Sequence, residues 1–482
     1  MSIIKTSRRD FLRHAGGGLG ALTVGGLIGS TGIFSPLQAA ELEAGNPLAP
    51  KAPHFTPRAK SVIWLHMIGA PATQDLFDYK PALDRMHGEA VPESFLKGIQ
   101  TSTQGGVGKL LGSHRQWKQY GESGSWFSDF LPNLAQHADE LAYIHSSVTI
   151  GATHDISVIK LNTGALTPGR PALGAWIQYA LGSANPDLPG YVVLSNGGRG
   201  LESGSVNYNA GFLPAVYSGI PVSLGEEPIL YIDRPPGMSA AQQRRDLDLL
   251  KRLNQYHASK HPTDTEIRAR IEAYELADRM QATVPKVLDL RQESETTRKL
   301  YGLDQDETRE YGTNLLRARR LVENDVRFVH VVSGMAKDQK DWDAHEDLQK
   351  NHTAQSRMVD QPVAALLTDL KSRGLLDSTL VVWTSEFGRT SYGESGSGRD
   401  HNPWGYTQWL AGGGVKAGVH YGQTDEIGLQ NADEKTAVDT YDLHATVLNQ
   451  LGLDHLKVTY LNQGRSERPT VVYGRVVREL LA

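Results

Sequence analysis

The chain has 482 residues, which fits one large domain or two to three smaller ones, and its 39% hydrophobic and 21% charged residues exclude a disordered protein. Its net charge of −5 gives no basis for nucleic acid or an anionic membrane as the main partner. The absence of cysteine excludes disulfides and thiol nucleophiles. Together with the 17 histidines, it biases any metal site toward imidazole and carboxylate ligands.

The N-terminus has the features of an export signal. Arg8 and Arg9 form a twin arginine, a weakly apolar, glycine-rich run follows over 15–34, and small residues before residue 41 suit cleavage. The alternative is an uncleaved anchor helix, which the glycines disfavour because they lower the hydrophobicity of the run. We therefore predict a signal peptide over 1–40, recognition by the twin-arginine translocation machinery, location in the periplasm or outside the cell, and no stable membrane span after cleavage.

A linker, 41–58, leads to the first predicted strand, Ser61 to Ile68. The strand runs into a loop that contains glycine, proline, Asp75 and Asp78. Ligands of open α/β sheets bind beyond the carboxyl ends of the strands, so these carboxylates are well placed for binding. The alternative for both is turn or helix-cap duty. We favour the ligand role for Asp75 and keep Asp78 as a weaker candidate.

The segment after the strand predicted at 141–148 has the features of an anion-binding site. Trp126 to His137 is predicted as a helix and Leu141 to Val148 as a strand. The segment from Gly151 to Gly164 is then predicted as a loop that enters a helix, and the N-terminus of a helix favours bound anions through its unpaired N–H groups. Thr153 and His154 would lie at that N-terminus, and simple N-capping by Thr153 is an equally good interpretation.

The middle of the chain predicts further alternation of strands and helices. Long charged helices are expected to form a cover over the sheet, since charge runs are typical of solvated helix faces. The predicted strands are 191–194 and 326–332, and the predicted helices are 173–181, 239–259, 264–297, 314–323 and 353–373.

Acidic and imidazole residues follow the strand predicted at 326–332. Asp343 and His345 come at short spacing and His352 lies a little further on. Such residues suit a hard or borderline divalent metal ion. The alternative is a solvated acidic turn. We favour the metal-ligand role for Asp343 and His345 and retain His352 as a weaker candidate.

The stretch from Thr379 to Gly418 carries the clearest signal for a site. An apolar, β-branched run, Leu380 to Trp383, predicts a buried strand that ends at Glu386. A glycine- and serine-rich loop follows and delivers Asp400 and His401, of which Asp400 is a weaker candidate. A carboxylate at the tip of a central strand and a histidine that returns nearby are therefore predicted to share a site.

Three separate strand ends thus present candidate ligands. Strands alternate with helices along much of the chain, which predicts an α/β fold with a doubly wound, mainly parallel sheet and helices on both faces. The carboxyl edge of such a sheet would bring Asp75 together with the pair Asp343 and His345 and with the pair Glu386 and His401. Two close metal ions need about this supply of carboxylates and histidines, and they can clamp the attacking and leaving oxygens of a displacement.

The order of these motifs resembles the alkaline phosphatase and sulfatase superfamily, and more closely a bacterial family of twin-arginine-exported proteins of unknown function within it. The resemblance covers nearly all of 59–482 and implies an alkaline phosphatase-like domain there, with a helical insertion at about 239–297. It is carried by Gly69 to Pro81, Thr153 to Gly164, Trp342 to His345, Ser385 to Arg389, Gly398 to His401, Ala411 to Gly418 and Asp442 to Leu453.

The resemblance also implies roles for individual residues. Asp75 matches a metal-binding aspartate after the first strand, and His401 matches a histidine of the downstream loop. Asp343 and His345 are similar to the aspartate and histidine that bind the other metal, at a tighter spacing. The Thr-Ser-Asp strand end of the superfamily has Glu386 in place of its aspartate.

The expected nucleophile departs from the pattern of the superfamily. The segment that ends in Thr-Gly starts with cysteine or serine in sulfatases, whereas His154 falls at that place here, next to Thr153. A working sulfatase of the formylglycine type is therefore not expected. The resemblance leaves Thr153 as nucleophile or His154 as acid, base or ligand, and it leaves Arg389 and the helix start to steady the anion.

Two functions follow from the sequence. The first is an exported hydrolase of phosphate or sulfate esters, or of a related anionic small molecule or polymer, with one or two divalent ions (zinc, calcium, magnesium or manganese). The second is a non-catalytic exported binding or envelope-assembly protein that kept the fold and lost the nucleophile. His154 and Phe387, at positions where the superfamily places chemistry, motivate the second function. We favour the first.

Overall fold

The computed structural model describes residues 38, 46–99, 106–196, 201–225, 227–261, 264–337, 339–393 and 396–482. The predicted export signal, over 1–40, lies outside the described residues except for Gln38. Within the described ranges, every helix is too short or too polar to cross a membrane.

Strands and helices alternate along the described chain. The strands are β1 (Ser61–His66), β2 (Trp117–Tyr120), β3 (Ser125–Ser128), β4 (Leu141–Ser147), β5 (Tyr191–Ser195), β6 (Ile220–Val222), β7 (Phe328–Val332), β8 (Thr379–Thr384), β9 (Gly388–Arg389), β10 (His401–Asn402), β11 (Tyr406–Ala411), β12 (His420–Tyr421), β13 (Tyr460–Asn462) and β14 (Arg465–Glu467). The α-helices are α1 (Pro81–Arg85), α2 (Glu93–Leu96), α3 (His154–Thr163), α4 (Leu173–Leu181), α5 (Ala240–Lys260), α6 (Thr265–Leu288), α7 (Glu295–Leu300), α8 (Arg309–Glu323), α9 (Leu348–Ser372) and α10 (Thr440–Gln450).

Eight of these strands form one mixed sheet in the order β12-β4-β11-β8-β1-β7-β5-β6. Neighbouring strands pair in parallel except where β11 lies antiparallel between β8 and β4. Parallel neighbours need crossover connections, and helices supply most of them. The predicted α/β fold with a mainly parallel sheet is confirmed.

The central strands are covered on both faces. Every residue of β1, β7, β8 and β11 is buried, and successive residues of a strand point to opposite faces. On one face, Trp64 packs against Phe328 of the neighbouring strand and against His444 of α10, at ring-centroid distances of 6.1 and 6.2 Å. The sheet is therefore an interior layer, as predicted for helices on both faces.

The carboxyl edge of the sheet is where the candidate ligands meet. The loops after β1, β7 and β8 leave from this edge, and α3 begins there after β4. Gly69 shows how closely these loops pack: its φ is +98°, and a Cβ there would lie 2.6 Å from the backbone nitrogens of Trp342 and Asp343. Only glycine lets the loop after β1 approach the loop after β7 in this way.

The helical cover is present, with one break that was not predicted. Helix α5 buries none of its residues, whereas α6 buries an apolar stripe that includes Leu276, Met280 and Val284. The predicted helix 264–297 ends at Leu288, and a short 3-10 turn separates it from α7. Helix α6 ends at Asp289 because the backbone of this residue is extended. The side chain of Asp289 accepts a hydrogen bond from the backbone nitrogen of Arg291 and so caps the 3-10 turn that follows.

The helix predicted at 126–137 is wrong. The structure has β3 at its start, paired with β2, followed by a 3-10 helix over Leu134–Glu140. Trp126 is 37% exposed and Phe127 is 1% exposed, which is the alternation of a strand, and Pro132 interrupts any continuous helix.

Candidate metal centre

Asp343 is the centre of a cluster of imidazoles at the carboxyl edge of the sheet. Its Oδ1 lies 3.0 Å from Nε2 of His345, 3.2 Å from Nε2 of His154 and 3.4 Å from Nε2 of His401. Nη2 of Arg389 lies 2.6 Å from the same oxygen. The structure thus brings together five predicted site residues from the segments after β4, β7 and β8.

Two of these imidazoles are fixed by hydrogen bonds on the side away from Asp343. Nδ1 of His154 lies 2.7 Å from Oε1 of Glu386, and Nδ1 of His401 lies 2.6 Å from the carbonyl oxygen of Ala152. A carbonyl only accepts, so Nδ1 of His401 carries a proton and its Nε2 offers a lone pair. Histidines that bind metals are held in this way, with one ring nitrogen on an oxygen and the other on the ion.

Nε2 of His154 is the atom that tests whether a metal fits. It is buried and lies 3.2 Å from Oδ1 of Asp343, close enough for an ion pair but without a well-directed hydrogen bond among the described residues. A buried polar atom without a hydrogen-bond partner is costly unless something else binds it. His154, Asp343 and His401 offer three ligand atoms within 4.8 Å of one another, and this donor set suits a divalent ion such as zinc.

A second group of possible ligands shares His401. His345, Asp400 and His401 also offer atoms within 4.8 Å of one another. Nε2 of His345 lies 3.0 Å from Nε2 of His401, and a cation would relieve the approach of two such nitrogens. The described residues therefore provide two overlapping sets of candidate ligands, and the number of ions stays a prediction.

Glu386 lies behind His154 rather than beside Asp343. Its Oε1 accepts from the backbone nitrogen of Gly69 at 2.8 Å as well as from His154, and its Oε2 lies 3.3 Å from Nε2 of His66. Both carboxylate oxygens thus have protein partners. Glu386, which was predicted as a metal ligand, thus lies where it orients the ring of His154.

Sequence analysis missed His66 and His330. Nδ1 of His66 lies 3.3 Å from Nε2 of His330, and the two stacked rings are completely enclosed beneath Glu386. His66 is the last residue of β1, and its position at a strand end was a usable signal. His330 lies inside β7 and carried no such signal, because a histidine within a strand is usually a packing residue.

The charges of the centre depend on one another. Burial opposes ionisation of Asp343, but its three histidines hold the pKa of that carboxyl far below the usual range. Burial lowers the pKa of His154, yet Asp343 and Glu386 outweigh this and raise it to about 9. Burial lowers the pKa of His401 to about 4. The protein alone thus holds a proton on His154 and a lone pair on His401, and a metal ion would replace that proton.

Arg389 is enclosed by protein atoms. Its Nε donates to the carbonyl of Ala70 at 2.8 Å, its Nη1 to the carbonyl of Arg399 at 3.2 Å, and its Nη2 to Gly69 and Asp343. The side chain is 0% exposed. Arg389 therefore fixes Asp343 and the loop after β1, and its guanidinium has no free side for a substrate anion.

Asp75 lies outside the cluster around Asp343. It is fully buried at the end of a 3-10 turn, Thr73–Asp75, and its Oδ2 accepts from Nε of Arg399 at 2.7 Å. Arg399 precedes Asp400 and His401 in the same loop, so this ion pair ties the loop after β1 to the loop that carries the histidine. The metal-ligand role of Asp75 stays a prediction.

The weaker candidates occupy other positions. His352 is buried, with Nε2 accepting from the backbone of Ala72 at 2.9 Å and Nδ1 3.2 Å from Asn351. Asp78 pairs with Lys80 at 3.1 Å and accepts hydrogen bonds from two threonine hydroxyls, on Thr407 and Thr424. Both residues thus have protein partners on their polar atoms, and neither belongs to the two ligand groups.

Thr153 is the exposed N-cap residue of α3. Its carbonyl accepts from the backbone of Ser157 at 3.1 Å, and its side chain makes no capping hydrogen bond. The hydroxyl therefore stays a predicted nucleophile beside His154.

A cavity of about 480 Å³ opens beside the cluster, and Asp343 and His345 line it. Lys340 and Lys350 line the same cavity with exposed side chains. Close approach of Gly398 to His345, where a Cβ would come within 2.0 Å of the His345 carbonyl, holds the loop of His401 against this wall. The centre is thus accessible from solvent next to two lysines.

The chain thus has a mixed α/β sheet with carboxylates and histidines gathered at its carboxyl edge, as predicted. The chain belongs to the family described as Protein of unknown function (DUF1501), whose model matches residues 59–481. No curated protein matches the chain.

Several solved structures are similar to the chain at low sequence identity. The lipoteichoic acid synthase LtaP from Listeria monocytogenes is 10% identical, with a TM-score of 0.32, 87% of this chain covered and 78% of that chain. A TAB5 alkaline phosphatase with Mg bound is 11% identical, with a TM-score of 0.35 and coverages of 83% and 99%. A protein in the alkaline phosphatase superfamily from Vibrio parahaemolyticus is 10% identical, with a TM-score of 0.34 and coverages of 92% and 78%.

Proposed function

We propose that the chain is an exported hydrolase that uses one or two divalent metal ions to cleave phosphate or sulfate esters, or a related anionic substrate. The observation that carries the proposal is the ligand group of His154, Asp343 and His401, whose ligand atoms lie within 4.8 Å of one another. When bound there, a divalent ion would supply Lewis-acid polarisation of the ester.

The residues of the chain fall into metal ligands and positioning residues. Asp343, His154 and His401 would bind the first ion. His345 and Asp400, together with His401, would bind a second ion. Glu386 and Arg389 act as positioning residues, because each is buried against one of these ligands. Zinc fits the first set best, because two imidazoles and one carboxylate are ligands that it prefers.

The cavity beside the cluster contains cationic side chains that can contact the negative charge of the substrate. Lys340 and Lys350 line the adjoining cavity, where Glu346 and Asp347 also lie. The lysines favour an anion close to the metal ligands. The hydroxyl of Thr153 is the nucleophile that fits best, since it is exposed at the start of α3.

The experiment is metal analysis of the purified native protein together with a screen of 4-nitrophenyl phosphate, sulfate and phosphonate esters. We expect one or two zinc, manganese, magnesium or calcium ions per chain, and ester cleavage that stops with chelator. Both are lost in His154→Ala and His401→Ala. His257→Ala is the matched control, since this histidine is exposed on α5. Native protein without metal and without turnover contradicts the proposal.

A non-catalytic binding role on the same fold is the second candidate. Phe387 is fully buried and packs on His154 and His401, with ring centroids 4.9 and 4.5 Å away, at a place where the superfamily often has a second ligand. This role predicts that anionic glycans or envelope polymers bind without turnover. A mass-resolved product that disappears in His401→Ala excludes it.

Export rests on the twin arginine at Arg8 and Arg9. Replacing both with lysine is expected to leave the protein in the cytoplasm of its host, and cell fractionation measures this. Unchanged export of the double variant contradicts the twin-arginine route.

A further inference from the structure

A second cavity lies under the helical cover, and none of its lining residues belongs to the candidate metal centre. It measures about 640 Å³, within the size range of sites for small molecules. Its walls come from the end of α6, the segment around α7, the helix α8 and the loop residues 225 and 227–233. The apolar part of the lining consists of Ile229, Ile232, Val284, Leu288, Leu290 and Leu303.

Arg317 on α8 is the notable residue of this cavity. It is 8% exposed, and within the described ranges its one hydrogen bond runs from Nη1 to the carbonyl of Ser223 at 3.0 Å. Its Nε is buried without a partner. Burial lowers the pKa of this guanidinium, and no carboxylate of the described chain opposes that shift. A buried cation without a counter-charge is unfavourable unless a ligand supplies one.

The same helix surrounds its other buried arginine with carboxylates. Arg319, two residues further on, lies 2.7 Å from Glu293, 2.5 Å from Glu323 and 2.9 Å from Asp369. Carboxylates are therefore available around α8, and the fold directs them to Arg319 and not to Arg317. Among the described residues, the absence of a carboxylate beside Arg317 is thus confined to this cavity.

The acidic residues of the cavity do not neutralise Arg317. Asp289 pairs with Arg291 at 2.8 Å, and Glu227 and Asp233 are exposed and form no ion pair with it in the described chain.

A second guanidinium, that of Arg298, also lines the cavity. Arg298 lies on α7, is partly buried, and forms no ion pair among the described residues. Two unpaired arginines thus share one cavity with an apolar wall. Guanidinium groups bind planar oxyanions through parallel N–H donors.

We propose that this cavity binds an amphiphilic organic anion, whose oxyanion head contacts Arg317 and Arg298 and whose short apolar body packs on the aliphatic wall. An oxyanion without an apolar body would leave the aliphatic wall in water, and an uncharged apolar molecule would leave Arg317 unpaired. The site is independent of the metal centre, so its test does not depend on hydrolysis.

The test is calorimetric titration of the full-length protein with octanoate and with octane sulfonate, which carry two kinds of head on one body. Two controls separate these parts: octanol has the octyl body without an anionic head, and inorganic phosphate has an anionic head without an apolar body. We expect both octyl anions to bind, and octanol and phosphate to bind at least about ten-fold more weakly. If the two anions differ by ten-fold or more, the tighter one names the head that the site prefers.

The decisive variant is Arg317→Met, which keeps an unbranched apolar stem and removes the charged guanidinium. We expect about ten-fold or greater loss of affinity for the octyl anions, with an equal or higher melting temperature of the free protein, because the unpaired buried charge is gone. Arg309→Met is the control, since this arginine lines the same cavity but is exposed and pairs with Asp306. Its affinity is expected to stay within two-fold.

Two results overturn the proposal: octyl anions that do not bind at all, or octyl anions that bind Arg317→Met as tightly as they bind the unmodified protein. If Arg317→Met fails to fold, Arg298→Met takes its place. An unchanged affinity in Arg298→Met then overturns the proposal in the same way.

Discussion

At the scale of single residues, Glu386 is expected to tune the metal centre without touching the metal. Glu386→Gln keeps an acceptor for His154 but removes the negative charge that makes its imidazole a stronger ligand. Loss of such an orienting partner weakens metal affinity by about 10- to 100-fold. A competition titration with a zinc chelator measures it. The control is Glu346→Gln, an exposed carboxylate of the adjoining cavity, and a loss as complete as that of His154→Ala would show instead that Glu386 binds the metal.

Asp75 and Arg399 form the other informative pair. Arg399→Met leaves a buried carboxylate without its cation, which is expected to lower the free energy of unfolding by about 3–5 kcal/mol. The double variant Asp75→Leu with Arg399→Met recovers most of this, because both charges are removed. Urea unfolding measures both.

The same pair tests the predicted ligand role of Asp75. The structure directs its carboxylate to Arg399, so Asp75→Asn is expected to keep its metal content. Loss of metal in Asp75→Asn, with the fold retained, would restore Asp75 as a ligand.

At the scale of elements, α10 links the sheet to the helix that carries His154. Asp439 caps α10 through a capping box and pairs with Lys160 of α3 at 2.8 Å, and both side chains are buried. Nε2 of His444 donates to the carbonyl of Leu161 at 2.8 Å. The two helices are thus joined by polar contacts in the interior, where each unsatisfied partner would be costly.

His444 makes stability depend on pH. Burial lowers its pKa from 6.5 to about 4. Between these values the unfolded chain binds a proton that the folded chain does not, so the contribution of His444 is complete above pH 6.5 and is lost as the pH falls toward 4, by at most about 1.4 kcal/mol per pH unit. Urea unfolding from pH 7 to pH 5 is expected to show a shallower loss in His444→Gln.

The exposed His257 on α5 supplies the control for that comparison. His257→Gln is expected to keep the slope of the unmodified protein. Equal slopes for His444→Gln and the unmodified protein would show that His444 becomes protonated in the folded state.

At the scale of the whole molecule, the candidate ligands are far apart in the chain and meet only in the folded state. His154, Asp343 and His401 follow three different strands. A metal ion that binds this set binds the folded state alone and stabilises it by mass action, by about 2.7 kcal/mol at a free concentration 100 times the dissociation constant. Zinc is therefore expected to raise the melting temperature and chelator to lower it. A shift of the same size in His401→Ala would assign the effect to other residues.

The sequence by itself predicted the sheet and the segments of its carboxyl edge. Apolar, β-branched runs such as Leu380 to Trp383 mark buried strands wherever they occur, and parallel strands place their carboxyl ends on one edge. His154, Asp343, His345 and His401 could be proposed on that basis. The helix predicted over 126–137 was wrong because neighbouring aromatic residues in a sequence do not show that Trp126 faces solvent and Phe127 faces the core, as they do in β3.

Only the tertiary structure decided which polar atoms face one another. Asp75 and Asp343 both follow strands, yet one turns to Arg399 and the other to three imidazoles, and nothing local to either residue distinguishes them. Arg317 looks like its paired neighbour Arg319 in the sequence. The difference arises because partners at long sequence separation are fixed by how loops and helices pack, and packing is a property of the whole chain.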